Sequence, residues 1–384
     1  MRIARVLTRL NLGGPARQVL ASDPLLKEMG HELRIFAGSP PAGEGDLFDT
    51  LVEQGLDVVR VPGLGRRISI VGDLRATRFL RRELTAFAPD ILHTHASKAG
   101  ALGRRAARKL SGIGRVHTFH GHVLEGYFPP TVSRMIRAHE RRLARATDRI
   151  LAVSHATAED LIRLDVVPED KLVVVPPGVD LAELLALKER SGTLRKAIGA
   201  GEDALVVGVL GRLAEVKRPQ RALDVFELLK DRLPHLHLVF IGDGPERQGL
   251  ERRITSADDA TRGRVHLMGL CTEIAPMLAD LDVVLLTSRS EGMPVALIEA
   301  GAAGKPVVAS PVGGVEELVA HERTGYLGET TDELAYFLTQ LAENDQDRQD
   351  MGHRARLRVA KQHSAAALAR RLDAVYTAVV ESRP

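Results

Sequence analysis

The stretch DVVLLTSRSEGMPVALIEA, Asp282 to Ala300, sets the apolar run Val283 to Leu286 before a short polar loop and a second apolar segment that opens at Pro294. A continuous apolar run of strand length, bounded by turn-forming residues, reads as a strand buried on both faces. Pro294 suits the first turn of a helix, where its missing N–H would be unbonded anyway. The loop Ser288 to Gly292 then lies at the strand's C-terminal end, where parallel sheets bind ligands. Gly292 lets backbone amides approach such a ligand closely. Glu291 stands over the strand end and Glu299 one to two turns into the helix. Carboxylates accept hydrogen bonds from vicinal hydroxyls, so the pair is read as facing a neutral ligand with two sets of hydroxyls, such as a sugar and a ribose. The bland alternative makes Glu291 an ordinary cap and Glu299 an exposed helix residue.

The same strand–loop–helix pattern recurs along the chain. RIARVL, ELRIFA, DVVRV, DILHTH, RVHTFH, RILAVS and KLVVVP read as strands in the first half. ALVVGVLG, LHLVFIG, RVHLMG, DVVLLTS and KPVVAS repeat the series in the second. Strands alternating with amphipathic segments imply parallel sheets covered by helices, and hence two Rossmann-like α/β domains with the expected site in the cleft between them. The predicted boundaries are 1–180 and 200–363, joined by a linker within 176–203 that contains PPGVD and GAGED. The last segment, 364–384, has helical periodicity. It could cap its own domain or cross back to the first.

The 384-residue length suits two domains rather than one core. Cys271 stands alone, so no internal disulfide can form and a reducing compartment fits. Arg2, Arg5 and Arg9 interrupt the start of the chain, and no signal peptide or membrane-spanning run of about 20 residues is expected. The net charge of +3 hides an asymmetry: residues 1–200 carry 31 Lys+Arg against 22 Asp+Glu, and residues 201–384 carry 22 against 28. The two halves are therefore expected to meet different partners.

Four further strand ends carry candidate chemistry. GVLGRLAEVKRP, Gly208 to Pro219, offers Arg212 and Lys217 at a loop and helix start, a bidentate fork and a point charge suited to a diphosphate. TRLNLGGPARQV places Gly13 and Gly14 at the end of the first strand with Pro15 opening a helix, which permits close approach to a phosphate or sugar. RVHTFHGHVLEGYF holds His117, His120 and His122 without a Cys or carboxylate at metal-ligand spacing, so His120 is taken as a polar donor and no metal is expected. DILHTHASKAG adds His93, His95 and Lys98 as acceptor-side candidates in the basic half. Asp280 and Asp282 form a D-x-D pattern, but ahead of their strand, and are read as a helix-to-strand turn.

With these motifs in order, the chain resembles a bacterial retaining glycosyltransferase of family four, of the group 1 glycosyl transferases, with the two-domain glycosyltransferase-B fold. The resemblance runs nearly end to end through Gly13–Gly14, THASKAG, TFHGH, VSHAT, VVPPGVD, GRLAEVKRP, IGDGPE, EGMPVALIEA and PVGGVEELV followed by TGYL. It implies that Arg212 and Lys217 hold the donor diphosphate, Glu299 the ribose hydroxyls, and Glu291 with Gly292, Met293 and Pro294 the donor sugar. It also implies that Gly14 lies near the phosphates, that His120 lies beside the sugar, and that the last helix returns to the N-terminal domain. The expected activity is metal-independent, retaining transfer of a hexosyl or N-acetylhexosaminyl group from a nucleotide-sugar substrate, with UDP the expected nucleotide and no cofactor. The expected acceptor is a lipid-linked or cell-surface saccharide in polysaccharide biosynthesis, with no role for nucleic acid. An epimerase of the same fold and a non-catalytic nucleotide-sugar binder are the competing readings. Arg134, Arg137, Arg141 and Arg145 recur at helical spacing beside Met135, Ile136, Leu143 and Ala144, a face expected to rest on an anionic membrane at the inner side of the cell. Solvated arginines are the plain alternative.

Overall fold

The computed structural model describes residues 1–383 except 42–44, 66, 122, 123, 126 and 127. The chain divides into two compact units: Met1–Val179 with His363–Pro384, and Asp180–Gln362. In the first, the strands β1 (Arg2–Leu7), β2 (Glu32–Ala37), β3 (Asp57–Arg60), β4 (Ile91–His95), β5 (Gly114–Phe119), β6 (Arg149–Ala152) and β7 (Leu172–Val174) form a parallel sheet in the order β3-β2-β1-β4-β5-β6-β7. Both faces are covered, as the unbroken apolar runs require. The helices Ile70–Phe87 and Ser97–Ala106 bury Ala76, Leu80, Leu84, Phe87, Ala99 and Leu102 on one face. On the other, Leu26 of the helix Gly14–Glu28 meets the final helix, Ala365–Glu381.

That final helix settles the question its periodicity left open. Leu368, Leu372, Tyr376 and Val379 lie on one stripe and are buried with Ile3, Ile91 and Val116 of the first unit. The return is held where the backbone amide of Val179 donates to the His363 carbonyl at 3.0 Å. Gly178 of PPGVD is needed there, because a Cβ would stand 2.4 Å from the Ser364 carbonyl oxygen.

In the second unit, β8 (Leu205–Leu210), β9 (Leu236–Ile241), β10 (Val265–Gly269), β11 (Val283–Leu286), β12 (Val307–Ala309) and β13 (Gly325–Leu327) make a parallel sheet ordered β10-β9-β8-β11-β12-β13. β13 was not among the strands read from the sequence: β7 and β12 are as short but lie in runs of Val, whereas Gly325-Tyr326-Leu327 opens on a glycine and has no such run.

Two sequence readings need correction. Residues 180–199 are not linker but part of the second unit, with short helices at Ala182–Leu185 and Thr193–Ile198. The reason is the D-x-D pair. Asp280, fully buried, accepts from the backbone amides of Gly192 and Leu194, both at 2.7 Å. Asp282 pairs with Arg190 at 2.7 Å and Arg195 at 2.6 Å and accepts from the Val206 amide at 2.7 Å. Both carboxylates thus clamp this segment onto the sheet. The second correction concerns the helix Pro130–Arg145. Ile136 and Ala144 face the core beside Phe119, Leu124 and Ile150, so of the apolar residues read there Met135 alone is strongly exposed.

Asp282→Ala strips a buried carboxylate from two arginines and a backbone amide. It should destabilise the protein by about 3 kcal/mol, read as a lower urea midpoint at unchanged slope. A midpoint equal to the parent's would refute the clamp.

Candidate active site

In the second sheet the strand order reverses between β8 and β11, the place where open parallel sheets bind ligands beyond the C-terminal ends of their strands. The loops leaving these two strands are stitched together there. The Arg289 amide donates to the Val216 carbonyl at 2.8 Å, and the Thr287 hydroxyl to the Arg218 carbonyl at 2.9 Å. The stitching brings the predicted Lys217 and Glu291 into direct contact, Nζ to Oε1 at 2.6 Å. Ser288 donates its hydroxyl to the same oxygen at 2.5 Å. The Glu291 side chain is 8% exposed and that of Lys217 is 31%, so the pair sits at the floor of an accessible surface rather than inside the core.

The backbone holds this arrangement under local strain. Lys217 ends a 3-10 turn, Glu215–Lys217, and Arg218 after it is left-handed at φ 48°, an uncommon conformation for a residue with a side chain. Opposite, Gly313 has φ +54°, and a Cβ on it would lie 1.9 Å from the Glu291 carbonyl oxygen. The Gly314 amide donates to the Gly292 carbonyl at 3.1 Å, so the loop after β12 braces the loop after β11. Pro294 is the N-cap of the helix Val295–Ala302 rather than its first turn. Glu299 is buried within that helix, Gly292 and Met293 are half-buried, and Arg212 is exposed just beyond β8.

The first sheet reverses between β1 and β4. Gly13 and Gly14 do not end β1, as the sequence was read. Residues 8–13 intervene, Gly13 is the N-cap, and the helix opens at Gly14 with Pro15 in its first turn and no side-chain cap. Ala96, directly after β4, has φ 57° and ψ 170°, a region otherwise almost confined to glycine.

Beneath these loops runs a buried polar chain. Arg5 is 1% exposed and donates from Nη1 to Asp23 at 2.7 Å. Its Nη2 lies 3.1 Å from His95 Nε2, and His95 Nδ1 lies 2.9 Å from His120 Nε2. Burial, then the Arg5 charge, pushes the His120 imidazole down to about 3. His95 is held well below the usual histidine range by burial and by His93 and Arg5 nearby. His120 therefore sits at the surface end of the chain as a neutral ring.

Of the acceptor-side candidates, His93 needs correction. It is fully buried, with Nδ1 2.6 Å from the Tyr376 hydroxyl and Nε2 2.7 Å from the Thr118 hydroxyl, so neither nitrogen is left for a ligand. His95 is buried too and reaches the surface only through His120. Lys98 is engaged by Asp73 at 2.7 Å and by the Arg67 carbonyl, and it anchors a loop. His117 bonds Thr94 at 2.9 Å inside the unit. His122 lies outside the described residues. Sequence reading missed Arg5, Asp23, Gly313 and Ser288; a lone arginine inside the apolar run RIARVL was the one available signal.

A family model described as Glycosyltransferase Family 4 matches residues 12–183, and one described as Glycosyl transferases group 1 matches residues 191–358. The chain is 30% identical over 335 residues to the Escherichia coli UDP-Gal:alpha-D-GlcNAc-diphosphoundecaprenol alpha-1,3-galactosyltransferase, covering 86% of this chain and 85% of that one. It is 31% identical over 284 residues to the D-inositol 3-phosphate glycosyltransferase of Kribbella flavida, covering 69% and 66%. Among solved structures, Anabaena HepE in complex with UDP-glucose superposes with a TM-score of 0.81 at 20% identity, over 98% of this chain and 100% of that one. Sucrose-phosphate synthase of Thermosynechococcus elongatus gives 0.82 at 19%, over 100% of both.

Gly313→Ala forces both a strained φ and displacement of the Glu291 carbonyl. A loss of about 2 kcal/mol in denaturant unfolding is expected. An unchanged midpoint would mean that the brace on Glu291 yields freely.

Proposed function

The chain belongs to glycosyltransferase family 4, with the fold of the glycosyltransferase-B enzymes, and on that premise we propose that it transfers a hexosyl or N-acetylhexosaminyl group from a UDP-sugar to a lipid-linked saccharide with retention at the anomeric carbon. The observation that carries the reading is the Lys217–Glu291 contact at the reversal of the second sheet. A cation and a carboxylate at one spot match a ligand in which a phosphate adjoins hydroxyls. In this reading Arg212 and Lys217 bind the diphosphate, and Glu299 the ribose. Glu291 and the backbone from Gly292 through Met293 to Pro294 grip the sugar. Gly13 and Gly14 lie at the phosphate side of the first unit, and His120 meets the sugar.

Catalysis in this scheme is charge stabilisation. As the bond from the anomeric carbon to the diphosphate breaks, Arg212, Lys217 and helix-start amides offset the negative charge that grows on the leaving oxygen. The hydrogen-bond neighbours of His120, namely His95 and Gln18, are not carboxylates, which favours front-face attack over a covalent intermediate. Asp280 and Asp282 are committed to the 190–206 segment, which supports chemistry without a divalent metal there. The UDP donor is supported by the UDP-glucose complex of HepE and the UDP-Gal named for the Escherichia coli relative. The diphosphoundecaprenol in that relative's name supports the lipid-linked acceptor and a role in surface polysaccharide synthesis.

A lipid-linked acceptor calls for a membrane-facing surface, and the first unit offers one. Ile68, Ile70 and Val71 are 90%, 86% and 79% exposed at the start of the helix Ile70–Phe87, among exposed Arg67, Arg75 and Arg78. Val132 and Met135 are exposed at the start of the helix Pro130–Arg145, beside Arg134. The helix Ser97–Ala106 bonds to both neighbours, Lys98 to Asp73 and Arg104 to Glu140, each at 2.7 Å, so the two strips share one layer. We propose peripheral docking on an anionic bilayer through these strips, each nearby arginine adding about 1 kcal/mol. No helix among the described residues is long and apolar enough to cross a membrane.

Arg212→Ala and Lys217→Ala should each lower kcat about 10²–10³-fold in folded protein assayed with UDP-sugars and membrane lipid extract. EDTA should leave turnover unchanged. Wild-type turnover in either variant would remove the diphosphate assignment, and abolition by EDTA with rescue by Mg²⁺ or Mn²⁺ would overturn the metal-independent scheme.

Co-sedimentation with vesicles containing phosphatidylglycerol should capture the protein at low salt. The triple change Ile68→Ser, Ile70→Ser, Val71→Ser should release it without changing turnover on a water-soluble acceptor. Capture equal to the parent's would rule out this docking surface.

A further inference from the structure

Arg5 is the least expected residue of the first unit: a guanidinium in the middle of the central strand β1, 1% exposed, in a run otherwise apolar at its core positions. Its partner Asp23 is fully buried, keeps one carboxylate oxygen without a hydrogen-bond partner among the described residues, and takes its other bonds from Arg5 and the Ser22 hydroxyl at 2.9 Å. A buried ion pair of this kind contributes little net stability compared with apolar residues of equal volume. What the pair does supply is direction, because it points a permanent donor at a histidine.

The hydrogen-bond roles along the chain follow without freedom. Arginine has donors only and is always charged, so His95 Nε2, 3.1 Å from Nη2, must accept. A neutral imidazole carries one proton, which in His95 is then on Nδ1. That N–H points at His120 Nε2, 2.9 Å away, which must accept in turn. The single proton of neutral His120 is left on Nδ1. The Gln18 amide lies 3.5 Å from that atom, at the outer limit of hydrogen bonding; turned end for end it would offer its oxygen to the Nδ1 proton, a weak contact that an entering ligand oxygen can replace. The stacked rings of His95 and His120, 5.2 Å between centroids, keep the relay in line.

Resting on the reading above, in which His120 meets the donor sugar, we infer that Arg5 is a positioning residue: through His95 it fixes His120 as an N–H donor at Nδ1. The consequence for the reaction is specific. With its proton on Nδ1, His120 has no lone pair at that nitrogen, so it cannot take the acceptor's proton there as a general base. It can only donate a hydrogen bond to an oxygen of the sugar. The low proton affinity of the ring, set by burial and the Arg5 charge, keeps it neutral while it does so. Asp23 holds the guanidinium in place at 2.7 Å, and His93, tied to Tyr376 and Thr118, backs the His95 ring at 4.1 Å between centroids.

The test reads the proton directly. The full chain, labelled with ¹⁵N-histidine, is examined by two-bond ¹H–¹⁵N correlation, with His120→Gln and His95→Gln assigning the two rings by loss of their signals. The expected result is a protonated, pyrrole-type Nδ1 and a pyridine-type Nε2 in both rings from pH 6 to pH 8. A His120 proton on Nε2, an averaged pattern or an imidazolium in that range overturns the relay on the wild-type protein alone. In the double variant Arg5→Met, Asp23→Leu, which removes the pair together, His120 should become a tautomer mixture. Its kcat should fall about tenfold with KM for the UDP-sugar changed less than about threefold. Arg5→Lys, which keeps a charged donor, should restore the Nδ1–H signal and most of the rate. Wild-type His120 signals in the folded double variant refute the inference. Full activity in His120→Ala, which removes the donor altogether, would instead refute the role given to His120 while leaving the tautomer assignment of the wild-type protein standing.

Discussion

A parallel strand buried on both faces presents no side chain to solvent along its length, so polar chemistry in either unit is forced to the loops beyond the strand ends. Where strand order reverses, two such loops part company and leave room for a ligand. In the second sheet that place is fixed between β8 and β11, and Lys217 meets Glu291 there at 2.6 Å because the two loops share backbone hydrogen bonds. Neither residue is near the other in sequence. The left-handed Arg218 and the positive φ of Gly313 show where the fold accepts local strain to keep them together.

The first unit departs from that rule in one instructive way. Arg5 and His93 lie inside strands, where an unpaired polar group would cost several kcal/mol, so each must find partners in the core. Arg5 takes Asp23 and His95; His93 takes Thr118 and Tyr376. Tyr376 belongs to the last helix of the chain, so the return of that helix completes hydrogen bonding that the first 179 residues leave open. The helix is thus tied by specific polar contacts as well as by its apolar stripe, which accounts for a chain that crosses back.

Much of this was legible in the sequence, and the parts that were not have physical reasons. Strands in runs of Val, Ile and Leu announce themselves even at three residues, as Val307–Ala309 does; Gly325–Leu327 has no such run. The motif residues were readable because loops at strand ends need glycine, proline and charge in a fixed order, yet their pairing was not, since Lys217 and Glu291 are joined only by the sheet. Residues 180–199 looked like linker from composition, because the carboxylates that order them lie almost ninety residues on, at Asp280. The helix with the arginine row looked amphipathic toward a membrane. The same periodicity serves packing, and there Ile136 and Ala144 turn inward. Gly13 and Gly14 belong to the helix start rather than to the strand end, because residues 8–13 carry the chain from Leu7 to the helix and have no periodicity to announce them.

The charge arrangement bears on how the proposed reaction would begin. Lys217 is compensated by Glu291, and the His120 ring is neutral. An entering diphosphate would compete with Glu291 for the ammonium. The carboxylate, still accepting from the Ser288 hydroxyl at 2.5 Å, would then turn its remaining capacity to a sugar hydroxyl. One exchange would thereby arm both groups: Lys217 for the leaving oxygens and Glu291 for the sugar. A diphosphate without hydroxyls, or a sugar without a diphosphate, would satisfy only one half of the pair and leave the other poorly solvated. In the proposed reaction the short contact across the reversal point would then favour nucleotide-sugars as a class, and the identity of the sugar would be left to the groups around it.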